Sequence, residues 1–225
     1  MFSHFPKTRQ PLPSEYAAIY EKHYKSNRDG KTVASSVSQR METWMHRQVA
    51  KSTGENLRTL EIGAGTLNHL SYERTQYYDI VEPFEVLYQS SPLLSRVCNV
   101  YSDISEIPSE GGYDRIISIA TFEHILNLPD VVAETCRLLN NGGVLYVAVP
   151  NEGRFLWKAA YTVSTGMEFK LKYGLDYRVI MNYEHCNTAD EVEDVIRHFY
   201  DKVNMKVFGF SRTMCLYRYF ECKKG

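Results

Sequence analysis

Leu60-Glu61-Ile62-Gly63-Ala64-Gly65-Thr66 is the stretch on which the fold turns. An apolar run ends there in two glycines one residue apart. Such a turn bends sharply and lets a bound molecule come closer to the backbone than a Cβ would allow. Short runs rich in Ile, Val and Tyr at 58–62, 77–81, 96–101, 113–120 and 143–149 read as buried strands. Leu128, Val131, Val132, Thr135 and Leu139 form one helical stripe between the last two. Strands separated by helical crossovers imply an α/β fold with a doubly wound, mostly parallel sheet. Further on, Thr188 and Glu191 have capping-box spacing at the head of a helix bearing Val192, Val195, Ile196, Phe199 and Tyr200. Two closely spaced runs at 206–210 and 213–222 then make a hairpin, so the seventh and last strand is expected to be antiparallel.

Upstream, Tyr16, Ile19, Tyr20, His23 and Tyr24 share one face of a helix starting at Ser14, which Asp29-Gly30 would stop. A second helix over 35–51 carries Val37, Met41, Trp44, Met45 and Val49. With 225 residues the chain suits one domain: a helical extension over 1–57, then a sheet domain over 58–225. Residues 151–187 are too long for an ordinary connection and hold Trp157, Tyr161, Phe169, Tyr173, Tyr177 and Tyr183, as a lid or binding loop would. Aromatics packed beneath a surface excursion would look the same.

Composition narrows the partners. No apolar run approaches a membrane span, and no charged-then-apolar leader is seen. Five scattered cysteines without a C-x-x-C pair argue against a zinc knuckle or disulfide framework and point to the cytoplasm. The net charge of −1 hides an acidic middle: residues 59–150 hold four basic against twelve acidic side chains, and both flanks are basic. That balance excludes duplex DNA as the main partner.

Acidic residues at the next two strand ends follow the glycine turn. Glu82 closes Tyr78-Asp79-Ile80-Val81-Glu82, where a carboxylate can accept ribose hydroxyls, and Asp103-Ile104 follows the third strand, where it can accept from an adenine amine. With Tyr113-Asp114 and Arg137-Leu138-Leu139-Asn140-Asn141-Gly142-Gly143, this series resembles the class I S-adenosylmethionine (SAM)-dependent methyltransferases. Phe122-Glu123-His124, Pro129, Glu134 and Pro150-Asn151 look like the ubiquinone-biosynthesis O-methyltransferase subgroup. The resemblance implies SAM as cofactor. It implies that Glu61, Gly63, Ala64 and Gly65 hold the methionine part, Glu82 and Pro83 the ribose side, Asp103 and Ile104 the adenine, and the backbone at Ile119 and Ala120 the amino-acid end. Two departures stand out. Leu67 takes the place of the usual third glycine, and Ala120 takes that of an acidic residue linked to metal in some relatives, so no metal is carried over. The rival is a nicotinamide-binding domain with G-x-G-x-x-G, whose third glycine is Asn68 here.

The expected reaction is O-methylation of a small-molecule acceptor, sugar-like or another metabolite, an anionic one included, with N-methylation or non-catalytic SAM binding as alternatives. His124, a few residues past the fourth strand, is the first candidate base, and His185 at the end of the lid-like segment the second. Each could equally be a loop-ordering residue. Lys31, Ser35, Ser36 and Arg40 are candidates for an anionic acceptor, or simply a solvated helix start.

Overall fold

The computed structural model describes residues 2–20, 36–108 and 112–224. Residues 14–20 are helical, as expected from Ser14; His23, Tyr24, the Asp29-Gly30 stop, Lys31 and Ser35 lie outside the described residues. Helix α1 (Ser36–Ala50) is followed by β1 (Thr59–Ile62), β2 (Tyr78–Val81), the single turn α2 (Glu85–Tyr88), β3 (Asn99–Tyr101), β4 (Tyr113–Ile119), α3 (Leu128–Leu138) and β5 (Leu139–Pro150). Then come α4 (Phe155–Tyr161), α5 (Met167–Tyr173), α6 (Arg178–Glu184), α7 (Ala189–Phe199), β6 (Lys202–Gly209) and β7 (Cys215–Lys223).

The sheet order is β3-β2-β1-β4-β5-β7-β6. β1 pairs parallel with both β2 and β4, and β7 lies antiparallel between β5 and β6. The order reverses between β1 and β4, so the crevice of the fold opens beyond their carboxyl ends, where the glycine turn sits. All four residues of β1 and of β2 are buried, because helices cover both sheet faces. One face packs Leu60, Ile116, Leu145 and Val147 under Val132, Val192 and Ile196 of α3 and α7. The other packs Ile80, Ile117 and Ala148 under Met45 and Val49 of α1.

Local sequence explains several boundaries. Pro129 sits in the first turn of α3, where its missing N–H costs nothing. The capping box at α7 is complete: Thr188 Oγ1 accepts from Glu191 N, and Glu191 Oε2 accepts from Thr188 N at 2.8 Å. Three strand starts move most, and β6 begins at Lys202, four residues ahead of the apolar run at 206–210. β3 begins at Asn99 because Leu94–Arg96 forms a 3-10 turn. β5 begins directly at the end of α3, with a register shift opposite Tyr113–Arg115 that takes up Asn140 to Gly143.

Residues 151–187 are mostly helical. Trp157, Tyr161 and Met181 form one small core, and Phe169 and Ile180 form another with Tyr16 of the N-terminal helical segment. An arm ahead of that segment ties distant parts together. Lys7 N donates to Leu126 O, Lys7 Nζ reaches Cys186 O at 2.8 Å and the Glu191 carboxylate, and Arg9 Nη2 donates to His124 O. The five cysteines are separate thiols. No described helix is long and apolar enough to cross a membrane.

Candidate active site

A cavity of about 630 Å³ opens at the β1 turn. Glu61, Gly63, Ala64, Gly65, Ile119 and Ala120 all line it, as expected from the sequence. The two glycines do different work. A Cβ on Gly63 would lie 2.3 Å from Thr121 Cγ2 and Oγ1, so this position is bare to let the β4 loop pack. A Cβ on Gly65 would meet nothing within 4 Å, so its bareness keeps the cavity open. Both have positive φ, +74° and +52°. The positive-φ pattern continues through two residues that are not glycine: Leu67 at 65°, fully buried, and Ala120 at 52°. Leu67 thus occupies the expected glycine position in the left-handed conformation, with its side chain anchored in the core.

Glu82 holds the turn from the next strand. Its Oε2 accepts from Gly65 N at 2.9 Å and its Oε1 from Phe84 N at 3.1 Å. Glu82, Pro83, Asp103 and Ile104 are outside the cavity lining. They stand at the carboxyl ends of β2 and β3, with Pro83 exposed and Ile104 buried. Asp103 Oδ1 accepts from Ser105 N at 2.9 Å and Oγ at 2.6 Å, which lowers its pKa. Glu61 is only 3% exposed. Burial pushes its carboxyl up to about 8, partly offset by the hydrogen bond from Tyr78 Oη at 2.7 Å.

His124 and His185 are not among the lining residues; they sit together behind Glu184, which is. Their rings meet edge to face at 4.8 Å. His124 Nδ1 is 2.9 Å from Glu184 O, and since a carbonyl only accepts, the proton is on Nδ1. Burial and the neighbouring His185 push His124 down to about 4, which makes it a weak base at neutral pH. His185 Nδ1 lies 2.9 Å from Glu152 Oε2; against the cost of burial, that bond and the Glu123 charge raise its pKa. Burial raises Glu123 to about 7, and its Oε2 has no hydrogen-bond partner. Glu123, His124 and His185 each present a donor atom within 4.8 Å of the others, a set whose chemistry suits a divalent cation.

Trp157, Tyr161 and Glu184 come from the lid-like segment, whereas Tyr217, Glu42, His46 and His69 are lining residues that no motif in the sequence singles out. Trp157 and Tyr217 pack edge to face at 5.2 Å, with Tyr161 beside Trp157, and these rings form a wall with Glu184. From α1 come Glu42 and His46; His69 follows the glycine turn. His46 contacts His69, which contacts Glu73, and Glu73 pairs with buried Arg115. Two cues were available: Arg115 inside an apolar strand needs a buried partner, and Glu73 follows His69 by one helical turn.

A reversing parallel sheet, an antiparallel β7 and a glycine turn facing acidic strand ends define the class I SAM-dependent methyltransferase architecture. The chain belongs to the methyltransferase-domain family, whose model matches residues 33–194, and it is a SAM-dependent methyltransferase. No curated protein matches the sequence. Among solved structures, the plantazolicin methyltransferase BpumL in complex with SAH is similar at TM-score 0.61 and 15% identity, over 94% of this chain and 93% of that one. A SAM-dependent methyltransferase from Thermotoga maritima, described as a possible histamine N-methyltransferase, aligns at TM-score 0.58 and 18% identity, over 83% and 96%. Phosphoethanolamine N-methyltransferase 2 from Haemonchus contortus aligns at TM-score 0.55 and 12% identity over 81% of this chain, which spans 52% of that one. At these identities the likeness speaks for the fold.

The residues present fit S-adenosylmethionine, the cofactor of this class. Gly65 leaves open space where a side chain would intrude, and the cavity presents a buried carboxyl, Glu61, suited to a cationic amino-acid end. When bound, the cofactor supplies an electrophilic methyl group on a sulfonium; positioning, water exclusion and proton removal fall to the protein.

Proposed function

We propose that the chain methylates a hydroxyl group of a small sugar-like or related metabolite. The observation that carries this reading is the wall of Trp157, Tyr161 and Tyr217 with Glu184, which shares one cavity with the glycine turn. Ring faces stack on the apolar faces of a sugar while a carboxylate accepts from its hydroxyls. Glu42, Glu61 and Glu184 line the cavity, with no Lys or Arg among its described residues. That supports an uncharged acceptor over the anionic one the basic flanks suggested. The same rings and carboxylates also suit an ammonium group, which favours N-methylation as the second reading.

In this reading Glu61 and the 63–65 backbone take the methionine part, Ile119 and Ala120 its amino-acid end, Glu82 with Pro83 the ribose and Asp103 with Ile104 the adenine. Residues 151–187 act as the lid, because Trp157, Tyr161 and Glu184 all come from them, and α1 closes the cavity from the other side. His124 and His185 order the lid. A cytoplasmic location belongs to the same reading, supported by the five separate thiols.

The test is incubation with methyl-tritiated SAM and two acceptor panels: methyl glycosides and phenols, and primary amines. Label in an ether of the first panel supports the proposal. Label confined to amines overturns it in favour of the second reading.

A further inference from the structure

A chain of three side chains leads from the cavity into the core. His46 Nδ1 lies 3.0 Å from His69 Nδ1, and His69 Nε2 lies 2.8 Å from Glu73 Oε1. The two imidazole planes are within 18° of each other and the ring centroids are 5.2 Å apart against 3.0 Å between the nitrogens, so the rings lie nearly side by side and meet nitrogen to nitrogen. Glu73 is held by Arg115, with Nη1 at 2.9 Å from Oε2 and Nη2 at 3.1 Å from Oε1, and by Thr53 Oγ1.

The arrangement sets both tautomers. Burial alone would raise the Glu73 carboxyl, but hydrogen bonds from His69, Arg115 and Thr53 bring it down to about 2, so it is a carboxylate that only accepts. His69 therefore carries its proton on Nε2 and offers a lone pair at Nδ1. His46 must donate from Nδ1, so the neutral ring has no hydrogen on Nε2, while the imidazolium turns an Nε2–H towards Glu42, whose carboxyl that contact holds below its usual value. His46 Nε2 lies 3.7 Å from Glu42 Oε1, and both His46 and Glu42 line the cavity. Tyr72 stacks on the His46 ring at 5.1 Å. The groups facing His46 are thus Glu42 on its own helix, His69 and Tyr72 across from it, and Glu73 with Arg115 behind.

We propose that His46 is the catalytic base of this enzyme, with His69 and Glu73 as its positioning residues; the assignment rests on the hydroxyl-acceptor reading above. As the acceptor oxygen bonds the methyl carbon and the carbon–sulfur electron pair passes to sulfur, the oxygen's proton moves to His46 Nε2. The imidazolium that results keeps its Nδ1–H bond to His69, and the Glu73 charge stabilises it through the His69 ring. Arg115 keeps Glu73 ionised, so the proton stays on the imidazoles. The arrangement is that of a base oriented by a second group, which a third group fixes.

Two measurements test it. Long-range ¹H–¹⁵N NMR of histidine-labelled protein with S-adenosylhomocysteine is expected to show His46 as the Nδ1–H tautomer; an Nε2–H tautomer overturns the proposal without reference to turnover. On a hydroxyl acceptor from the panel above, His46→Asn is expected to lower kcat by about 10²–10⁴-fold, the usual range for a general base. The same variant should keep thermal stabilisation by S-adenosylhomocysteine, and the acidic limb of the kcat–pH profile should vanish. Glu73→Gln should shift that limb to lower pH, which a purely structural role would not do. Ether product formed by His46→Asn at the wild-type rate, with the limb in place, overturns the proposal and leaves the acceptor reading standing. Label found only on amines overturns the acceptor reading, and the base assignment falls with it.

Discussion

Replacing Glu82 with glutamine should loosen the glycine turn without changing its shape. The carboxylate accepts two backbone N–H groups, Gly65 at 2.9 Å and Phe84 at 3.1 Å, one on each oxygen. Glutamine brings one acceptor oxygen and one amide donor, so one of those N–H groups would face another donor. A hydrogen bond to a charged group is worth about 1.5–3 kcal/mol, and the surviving bond weakens as it becomes neutral. The expected loss is about 2–3 kcal/mol. For a chain of this size that lowers Tm by roughly 4–12 °C. If Glu82 keeps Gly65 N in place, the affinity for S-adenosylhomocysteine should also fall at least about tenfold, or roughly 1.4 kcal/mol. Thermal unfolding and calorimetric titration on the same samples give both values. A variant that unfolds within about 1 °C of wild type and binds S-adenosylhomocysteine equally well refutes the reasoning, since Tm at this size moves about 2–4 °C per kcal/mol.

Alanine at the two glycines should separate their roles. Gly63→Ala drives its Cβ against Thr121 and should cost more Tm than Gly65→Ala. Gly65→Ala adds only left-handed strain, about 1–2 kcal/mol, but fills cavity space and should weaken S-adenosylhomocysteine binding; equal Tm losses would argue against the division. Glu61 predicts a pH dependence. Its carboxyl holds a proton up to about 8 in the folded chain but ionises near 4.5 when unfolded, so its contribution is full below 4.5 and is lost as pH rises through 8. Urea unfolding at pH 6 and pH 9 should therefore show Glu61→Gln losing less stability than wild type, and wild type should release a proton on binding S-adenosylhomocysteine at pH 7. Thr188→Ala removes the cap of α7 and should cost about 1 kcal/mol, visible as a Tm lower by roughly 2–4 °C with cofactor affinity unchanged.

The sheet was legible because its strands are buried on both faces and so appear as unbroken apolar runs. The glycine turn was legible because two glycines one residue apart at the end of an apolar run mark a sharp turn, and both adopt positive φ. β3 was read three residues early, since nothing in Arg96-Val97-Cys98 marks the 3-10 turn that delays it. Asn140-Asn141-Gly142-Gly143 looked like a connection and is instead absorbed as an irregular start of β5, with Gly142 at φ +81°. The acceptor wall was half visible. The aromatics of 151–187 stood out, but Tyr217 reaches them from β7, thirty residues beyond the segment's end, and no local pattern predicts that meeting. His46 meets His69 only once the sheet has formed, whereas the four-residue spacing of His69 and Glu73 and a lone Arg115 in an apolar strand are already in the sequence. His124 and His185 stand out for their places just past the fourth strand and at the end of the lid-like segment, and the fold sets both behind Glu184.

The arm that joins Lys7 to Cys186 and Glu191 also sets a clock. Its partner carboxylate follows Lys7 by 184 residues. At a synthesis rate of roughly 5–20 residues per second, about 10–40 s separate the translation of the two ends of that contact. By then β1 to β5 have been made, with the glycine turn among them. The Lys7 contacts with Cys186 and Glu191 close only after that, so while the first five strands are being made the lid side of the cavity stands open.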